Sequence, residues 1–341
     1  MEKYRVAAVQ TGPVYLNLEK TVNKVCGFIK EAADNGAKII GFPEALLPGY
    51  PWWVWMGDGE TYAPYYAKLI ENSVVVGDST FAKLSECAKQ NDIYVCVSGH
   101  ERVNDSVYMS QFWFDNHGNL IGKHRKMKAT AAERKAWMDG DGSTNVVYDT
   151  PLGRIGSLMC AEHHVPAYHT LVGAQAEQVH VASYPPLPIE LTGTMGLRAP
   201  LNAVKSLCIE NKAFAMFCTQ VITKETIDML CGDDESLLNK MPTTISGFGG
   251  CGGGAACVIN PRGEIISGDF LDPCAEGIVY GEVDLAECFY GKMLYDVYGN
   301  SKKAGCLRLF LNREPQNPIN YIGKQPDNTL SYPELQKGAA I

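Results

Sequence analysis

Short apolar strand candidates alternate with amphipathic helix candidates along the first hundred residues of the chain. Residues 4–10 form a β-branched strand candidate, and residues 18–33 carry apolar side chains three and four positions apart, the spacing of a helix with one buried face. Gly36 predicts the end of that helix, and residues 38–42 form a second strand candidate. This alternation predicts an α/β protein in which helices cover the faces of a sheet.

The alternation continues beyond these segments, and two hairpins make the predicted sheet mixed rather than purely parallel. A further helix is predicted over residues 81–89. The hairpins pair residues 107–114 with 120–126, and residues 146–148 with 154–159. The other predicted strands cover residues 93–97, 178–182, 213–220, 255–259 and 278–284. No linker or repeat interrupts the chain before about residue 314, so we predict one domain over residues 1–313 and a C-terminal extension over residues 314–341.

Composition excludes several classes of function. With 30 basic and 38 acidic residues among 341, the formal charge is −8, which argues against a nucleic-acid surface. No segment approaches the roughly 20 apolar residues of a membrane span, and the N-terminus has no signal core. The 12 cysteines include no C-x-x-C pair. We therefore expect a cytoplasmic protein whose cysteines are mostly buried thiols, not a disulfide framework or a zinc site.

Two motifs that would indicate a cofactor or a metal lack the necessary context. Gly247, Gly249 and Gly252 fit G-x-G-x-x-G, but the motif leads into a strand, whereas a dinucleotide site needs a helix N-terminus. The histidines at 163, 164 and 169 match no zinc spacing. We expect neither a cofactor nor a metal.

Three reactive side chains stand at the ends of predicted strands. Glu44 follows the strand at 38–42, Lys126 ends the strand at 120–126, and Cys160 follows the strand at 154–159. Taken singly, they could be an ion-paired carboxylate, a solvated lysine and a core thiol. Together they supply a base, a cation and a nucleophile at the place where α/β folds gather their sites.

These segments resemble the nitrilase branch of the carbon-nitrogen hydrolase superfamily. The resemblance covers roughly the first 290 residues. Its blocks are residues 6–10, 42–53, 123–142, 156–162 and 174–180. It implies a four-layer α-β-β-α sandwich, paired into homodimers that build into higher oligomers or spirals.

The resemblance also implies a role for each reactive side chain. Glu44 is expected to be the general base, Lys126 the cationic stabiliser, Cys160 the nucleophile and Glu133 a second, supporting glutamate. The implied reaction converts an organic nitrile and water into a carboxylic acid and ammonia through a thioimidate and a thioester on the cysteine. An amidase or N-carbamoyl hydrolase is the nearest alternative, because the same residues cleave amides. A non-catalytic oligomeric binding protein is a further alternative.

The substrate class is the least constrained expectation. Trp52, Trp53 and Tyr184 are candidates for an apolar substrate pocket, although they could equally be core or dimer-interface aromatics. Ala161 stands where nitrilases commonly carry Trp, which predicts a roomier pocket beside the thiol. The C-terminal block departs from the family as well, with Asn300 in the place of the usual His.

Overall fold

The computed structural model contains eleven strands and nine α-helices within the residues that it describes. Those residues are 3–57, 59–187, 196–232, 234–238, 251–299, 305–306, 308–316 and 329–338. The strands are β1 (Tyr4–Gln10), β2 (Ala37–Gly41), β3 (Tyr94–Val103), β4 (Ser106–Phe114), β5 (Leu120–Arg125), β6 (Tyr148–Thr150), β7 (Gly153–Met159), β8 (Val179–Tyr184), β9 (Phe214–Thr219), β10 (Cys257–Ile259) and β11 (Gly277–Val283). The helices are α1 (Leu18–Asp34), α2 (Gly59–Glu71), α3 (Ser79–Gln90), α4 (Pro166–Ala174), α5 (Arg198–Asn211), α6 (Lys224–Cys231), α7 (Glu235–Leu238), α8 (Glu287–Tyr290) and α9 (Tyr332–Gly338).

The strands form two mixed sheets that face each other. One sheet runs β11-β1-β2-β3-β4-β5 and the other runs β10-β9-β8-β7-β6. The sheets meet where Gln10, the last residue of β1, pairs in parallel with Thr219, the last residue of β9. Between them lies an apolar layer to which Val6 and Ala8 of β1 contribute from one side, and Val181 and Met216 from the other.

Helices cover the outer face of each sheet. In β1, Ala7 and Val9 point away from Val6 and Ala8, because successive strand side chains alternate, and they pack against α1 and α3. The other sheet is covered by α5 and α4. Because both faces of β1 are buried, its sequence is almost continuously apolar. The four-layer α-β-β-α sandwich expected from the sequence is confirmed.

Strand direction brings three strand ends to one edge of the sandwich. β1, β2 and β3 are parallel, and two antiparallel steps through β4 make β5 parallel to them. β7, β8 and β9 are also parallel, and β9 pairs in parallel with β1. The carboxyl ends of β2, β5 and β7 therefore open on the same edge, close to where the two sheets meet.

The structure differs from the sequence-based expectation at one pair of cysteines. Cys26 of α1 and Cys87 of α3 form a disulfide, so the expectation of thiols is wrong for this pair. The pair lies on helices that cover the outer face of one sheet. Most of the other cysteines are free thiols, as expected, among them Cys160 and the exposed Cys274.

The final described segment packs against the main body of the fold. Leu330 bridges to Leu120 of β5, and Leu335 of α9 is fully buried in the core beneath α3. The division at residue 314 stays a prediction.

None of the helices in the described part of the chain is long and apolar enough to cross a membrane. Gly247, Gly249 and Asn300 lie outside the described residues, whereas Gly252 pairs with Ile222.

Candidate active site

Glu44 follows β2 in a segment whose backbone is tied to neighbouring strands. Its N–H donates to the carbonyl of Tyr184 at 3.3 Å, and its own carbonyl accepts from the side chain of Gln220. Ala45, the next residue, has a left-handed backbone with φ of 53°, which is uncommon for a residue other than glycine. Its N–H donates to Ser98 Oγ at 3.1 Å. The glutamate is thus held from both sheets.

Lys126 lies between two buried carboxylates. Its Nζ donates to Glu44 Oε1 at 2.7 Å and to Glu133 Oε2 at 2.8 Å. Glu133 is fixed in turn, since its Oε1 accepts from the Tyr50 hydroxyl at 2.8 Å and its Oε2 accepts from the Thr130 N–H at 2.7 Å. The three charged side chains are almost completely buried. They carry one positive and two negative formal charges, so a proton on one carboxyl would balance the site.

The pKa of Glu44 lies near neutrality. Burial raises it from its usual range to about 7, the ammonium of Lys126 opposes that rise, and the charge of Glu133 adds to it. Among the described residues, Glu44 Oε2 has no hydrogen-bond partner, although it is buried. A carboxylate with a free oxygen and a pKa near 7 is suited to take up and return a proton at neutral pH.

Cys160 sits at the turn between β7 and a short 3-10 helix, Cys160–His164. Its φ of 46° is left-handed, the kind of backbone strain that clusters at functional sites. Burial raises the pKa of the thiol well above its usual range, and the charges of Glu44 and Glu133 add to the rise. Lys126 and a hydrogen bond from the Ala161 N–H oppose it. At rest the side chain of Cys160 is therefore a thiol, and forming its thiolate would require a base.

Glu162 joins the two strand ends that carry the lysine and the cysteine. Its carboxylate accepts from the N–H of Met127, next to Lys126, and from the N–H of Met159, next to Cys160, both at 2.8 Å. His124 Nε2 lies 2.9 Å from the same carboxylate. The sequence offered only its position after the cysteine as a signal. Glu162 fixes the distance between the ends of β5 and β7.

The candidate pocket residues have different surroundings. Tyr184 is buried beside the reacting groups: burial and the nearby charges of Cys160 and Glu44 raise its pKa well above the usual range. Ala161 directs its N–H to the cysteine sulfur. Trp52 packs against Tyr50, with ring centroids 4.6 Å apart. Trp53 packs against Tyr66 and lines a cavity of about 180 Å³ with it. A role in substrate binding stays a prediction for all four.

Tyr50 and His163 contribute to the site without having been predicted to do so. Tyr50 lay inside a block of family resemblance, but only its bond to Glu133 shows what it does. His163 is buried, whereas His164, the last residue of the 3-10 helix, is exposed. In the described part of the chain, no group of three or more His, Cys, Asp or Glu side chains could hold a metal ion.

Comparison with known proteins identifies the family of the chain. Residues 5–289 match the family model described as carbon-nitrogen hydrolase. The chain is 41% identical to a nitrilase from Bacillus sp. (strain OxB-1), covering 98% of this chain and 96% of that protein. It is 34% identical to an aliphatic nitrilase from Rhodococcus rhodochrous, covering 94% and 82%.

A solved structure supports the fold independently of close sequence similarity. Saccharomyces cerevisiae Nit3, a member of branch 10 of the nitrilase superfamily, superposes with a TM-score of 0.65 at 17% identity, covering 89% of this chain and 97% of that chain. The match of the family model and the two relatives decide the assignment: the chain belongs to the carbon-nitrogen hydrolase family, in its nitrilase branch.

Proposed function

We propose that the protein hydrolyses an organic nitrile to a carboxylic acid and ammonia. The observation that carries the proposal is the Glu44–Lys126–Glu133 cluster beside Cys160, in which Glu44 keeps one oxygen free. The similarity to proteins named nitrilase, at 41% and 34% identity over most of the chain, favours a nitrile as the substrate.

The first half of the reaction forms a thioimidate. Glu44 Oε2 takes the thiol proton as the sulfur of Cys160 attacks the nitrile carbon. The protonated Glu44 then delivers a proton to the nitrile nitrogen, which leaves a neutral thioimidate bonded to the sulfur. The pKa of about 7 allows Glu44 to act in both directions near neutral pH. Glu133 supports the step by holding Lys126.

The second half consumes two water molecules. The first adds to the thioimidate carbon, with Glu44 as the base, and the tetrahedral intermediate expels ammonia to give a thioester. The second water hydrolyses the thioester, which releases the acid and restores the thiol. Lys126 and the Ala161 N–H are the donors for negative charge on the tetrahedral intermediates. Loss of one such donor typically costs about 3 kcal/mol of transition-state stabilisation.

Amide hydrolysis is the alternative, since an amide would enter the same sequence at the tetrahedral stage. Ammonia release from aliphatic, aryl and arylaceto nitriles, beside the matching amides, separates the two. We expect release from at least one nitrile class at a higher kcat/KM than from its amide. Release from amides with none from any nitrile would overturn the proposal. No release from either would favour the non-catalytic binding protein.

A pair of cysteine variants tests the role of Cys160 in the same assay. Cys160→Ala is expected to remove turnover while the far-UV circular dichroism stays unchanged, because the nucleophile is lost and the buried carboxylate cluster is kept. Cys274→Ala, which alters an exposed free thiol, is the matched control and is expected to keep full activity. Turnover by Cys160→Ala at the native rate would refute the assignment.

We further propose that the protein acts in the cytoplasm as a homodimer that builds into higher oligomers. Exposed apolar side chains favour assembly: Tyr290, Met293 and Leu294 are 70%, 85% and 81% exposed. Sedimentation velocity tests this, with a species of about 37 kDa as the contradicting result. The location needs a separate test by cell fractionation, because the Cys26–Cys87 disulfide is unusual for a reducing compartment.

A further inference from the structure

Three buried polar side chains form a hydrogen-bonded row behind the nucleophile. Glu177 Oε1 lies 2.8 Å from His180 Nδ1, and His180 Nε2 lies 3.0 Å from His163 Nε2. His163 Nδ1 lies 3.0 Å from the carbonyl oxygen of Cys160. Gly156 of β7 leaves the space that the Glu177 carboxylate occupies, since a Cβ there would collide with Oε1. We call Glu177, His180 and His163 the buried relay.

The hydrogen bonds fix where the protons are. The carbonyl of Cys160 can only accept, so His163 Nδ1 carries a hydrogen. Burial lowers the pKa of His163 well below its usual range, and the charge of His180 adds to this, so His163 is neutral and its Nε2 must accept. His180 Nε2 therefore carries a hydrogen. The Nδ1 of His180 faces Glu177 Oε1, so one proton lies between these two atoms. Either His180 is an imidazolium beside a carboxylate, or it is a neutral imidazole beside a carboxylic acid.

The far end of the relay acts on the peptide bond beside the reacting sulfur. The Cys160 carbonyl that accepts from His163 belongs to the same peptide unit as the Ala161 N–H, which points to the sulfur. An amide that accepts a hydrogen bond at oxygen becomes a better donor at nitrogen, because bonds in a chain polarise one another. The same bond also holds the strained φ of Cys160 in place.

We propose that Glu177, His180 and His163 are positioning residues that hold one proton and orient the Cys160–Ala161 peptide for nucleophilic attack. The relay touches no substrate atom and acts through that peptide. The inference rests on the proposed function for the reaction that the peptide serves, whereas the hydrogen bonds of the buried relay do not depend on that function. Other groups facing His163 are Tyr184, which stacks on its ring with centroids 5.1 Å apart, and His169, which contacts its backbone carbonyl at 2.7 Å.

Two variants of His163 separate positioning from packing. His163→Phe keeps a flat ring against Tyr184 but cannot donate to the Cys160 carbonyl. His163→Asn places an amide N–H one bond beyond Cγ, where Nδ1 lies. In the Phe variant we expect kcat to fall by about tenfold or more, with KM within about threefold of wild type. In the Asn variant we expect at least half of that loss, measured in log kcat, to be recovered. Equal loss in both variants, or no loss in the Phe variant, would overturn the proposal.

A second pair of variants tests the proton at the far end and covers a failure of His163→Phe to fold. In Glu177→Gln the amide can turn its NH₂ toward His180 Nδ1, so a neutral His180 still donates to His163. Glu177→Leu has no donor. The proposal requires kcat near wild type for Gln and about tenfold lower for Leu. Equal kcat in the two variants would contradict it.

A readout without turnover keeps this test separate from the proposed function. Iodoacetamide alkylation of Cys160, followed by peptide mass spectrometry and referred to the exposed Cys274 of the same sample, reports the reactivity of the sulfur alone. We expect slower alkylation of Cys160 in His163→Phe and Glu177→Leu, and near-native rates in the Asn and Gln variants. If nitriles are not substrates, this pattern still stands. If alkylation is alike in all four variants, the relay has no such role.

Discussion

At the scale of single residues, the site is organised around one buried carboxyl whose protonation changes near neutral pH. Glu44 Oε1 accepts a hydrogen bond from Lys126, and Oε2, which has no partner among the described residues, is the oxygen that the proposed mechanism assigns to the thiol. Cys160 cannot supply its own thiolate, because burial and two nearby carboxylates raise its pKa. In the proposed mechanism, activation of Cys160 therefore depends on the charge state of Glu44 rather than on a preformed ion pair.

This dependence predicts the acid side of the pH profile. Because the pKa of Glu44 is raised to about 7, the carboxylate form disappears as pH falls through that value, and kcat/KM should fall with it. We expect a tenfold loss per pH unit below about pH 6.5. Initial rates over about pH 5–9, with circular dichroism at each pH as the control for folding, test this. A flat profile down to pH 5 would contradict the role of Glu44.

The hydroxyl of Tyr50 should contribute to the rate by holding Glu133. Tyr50→Phe removes the bond to Glu133 Oε1, so that Glu133 holds Lys126 less firmly. We expect kcat to fall about tenfold, consistent with a charged hydrogen bond worth roughly 1.5–3 kcal/mol. Tyr15→Phe is the matched control, since this buried hydroxyl donates to a backbone carbonyl, that of Tyr50, rather than to a charged side chain. Similar kcat losses in the two variants would count against the assignment.

The sequence revealed some of these residues and not others, for physical reasons. Glu44, Lys126 and Cys160 stood out because each chemistry-bearing side chain follows an apolar strand. Glu162, His163 and His180 did not, because their roles depend on partners far along the chain. Cys26 and Cys87 were expected to be thiols because cysteine content indicates only the redox compartment. It does not show which helices lie side by side and can bring two cysteines together.

At the scale of secondary structure, a buried charge cluster joins β3 to β5 next to the site. Glu101 of β3 accepts from Lys123 and Arg125 of β5 at 2.5 and 2.7 Å, and from Ser110 of β4 at 2.7 Å. Burial acts to raise the pKa of Glu101, but Arg125 and Lys123 outweigh it and lower the pKa to about 2. The cluster holds β5, the strand that Lys126 directly follows.

Glu101 should therefore make stability depend on pH at the acid end. Its folded pKa lies below the unfolded value near 4.5, so its contribution is complete above about pH 4.5 and disappears as pH falls toward 2. Glu101→Gln removes the buried carboxylate that pairs with Lys123 and Arg125, and we expect a loss of about 3–5 kcal/mol in the free energy of unfolding at neutral pH. Urea denaturation measures this loss.

The matched control is an exposed ion pair of the same sheet. Glu282→Gln breaks the ion pair with Arg5, in which the side chain of Arg5 is 44% exposed and that of Glu282 is 56% exposed. We expect the free energy of unfolding to change by less than about 1 kcal/mol. Equal changes in the free energy of unfolding for the two substitutions would show that the buried ion pairs of Glu101 do not stabilise the fold more than an exposed pair does.

The strands were more predictable than the helices. β1 and α1 lie within one residue of their expected bounds, because β1 is a short apolar run rich in strand-forming residues and α1 carries a clear three-to-four residue repeat. β3 runs to Val103, six residues beyond its prediction, because polar Glu101 is paired inside the sheet. The prediction did not include α2, which contains Pro64, or α4, which opens with Pro166.

At the scale of the whole molecule, the two sheets create the site by meeting at one edge. The pairing of Gln10 with Thr219 brings the ends of β2, β5 and β7 together, although they come from different sheets. Residue patterns predicted an α/β sheet, whereas the four-layer arrangement came from the resemblance. Patterns could not supply it, because a strand that is buried on both faces looks the same in one sheet as in two.

The proposed mechanism requires a covalent bond between Cys160 and the nitrile carbon. Mixing the enzyme with a nitrile substrate, quenching with acid within the first turnover and mapping peptides by mass spectrometry tests it directly. We expect a thioimidate or acyl mass on the peptide that contains Cys160, none on the other cysteine peptides, and neither adduct nor ammonia with Cys160→Ala. Continued ammonia release by Cys160→Ala, or an adduct on a different residue, would contradict it.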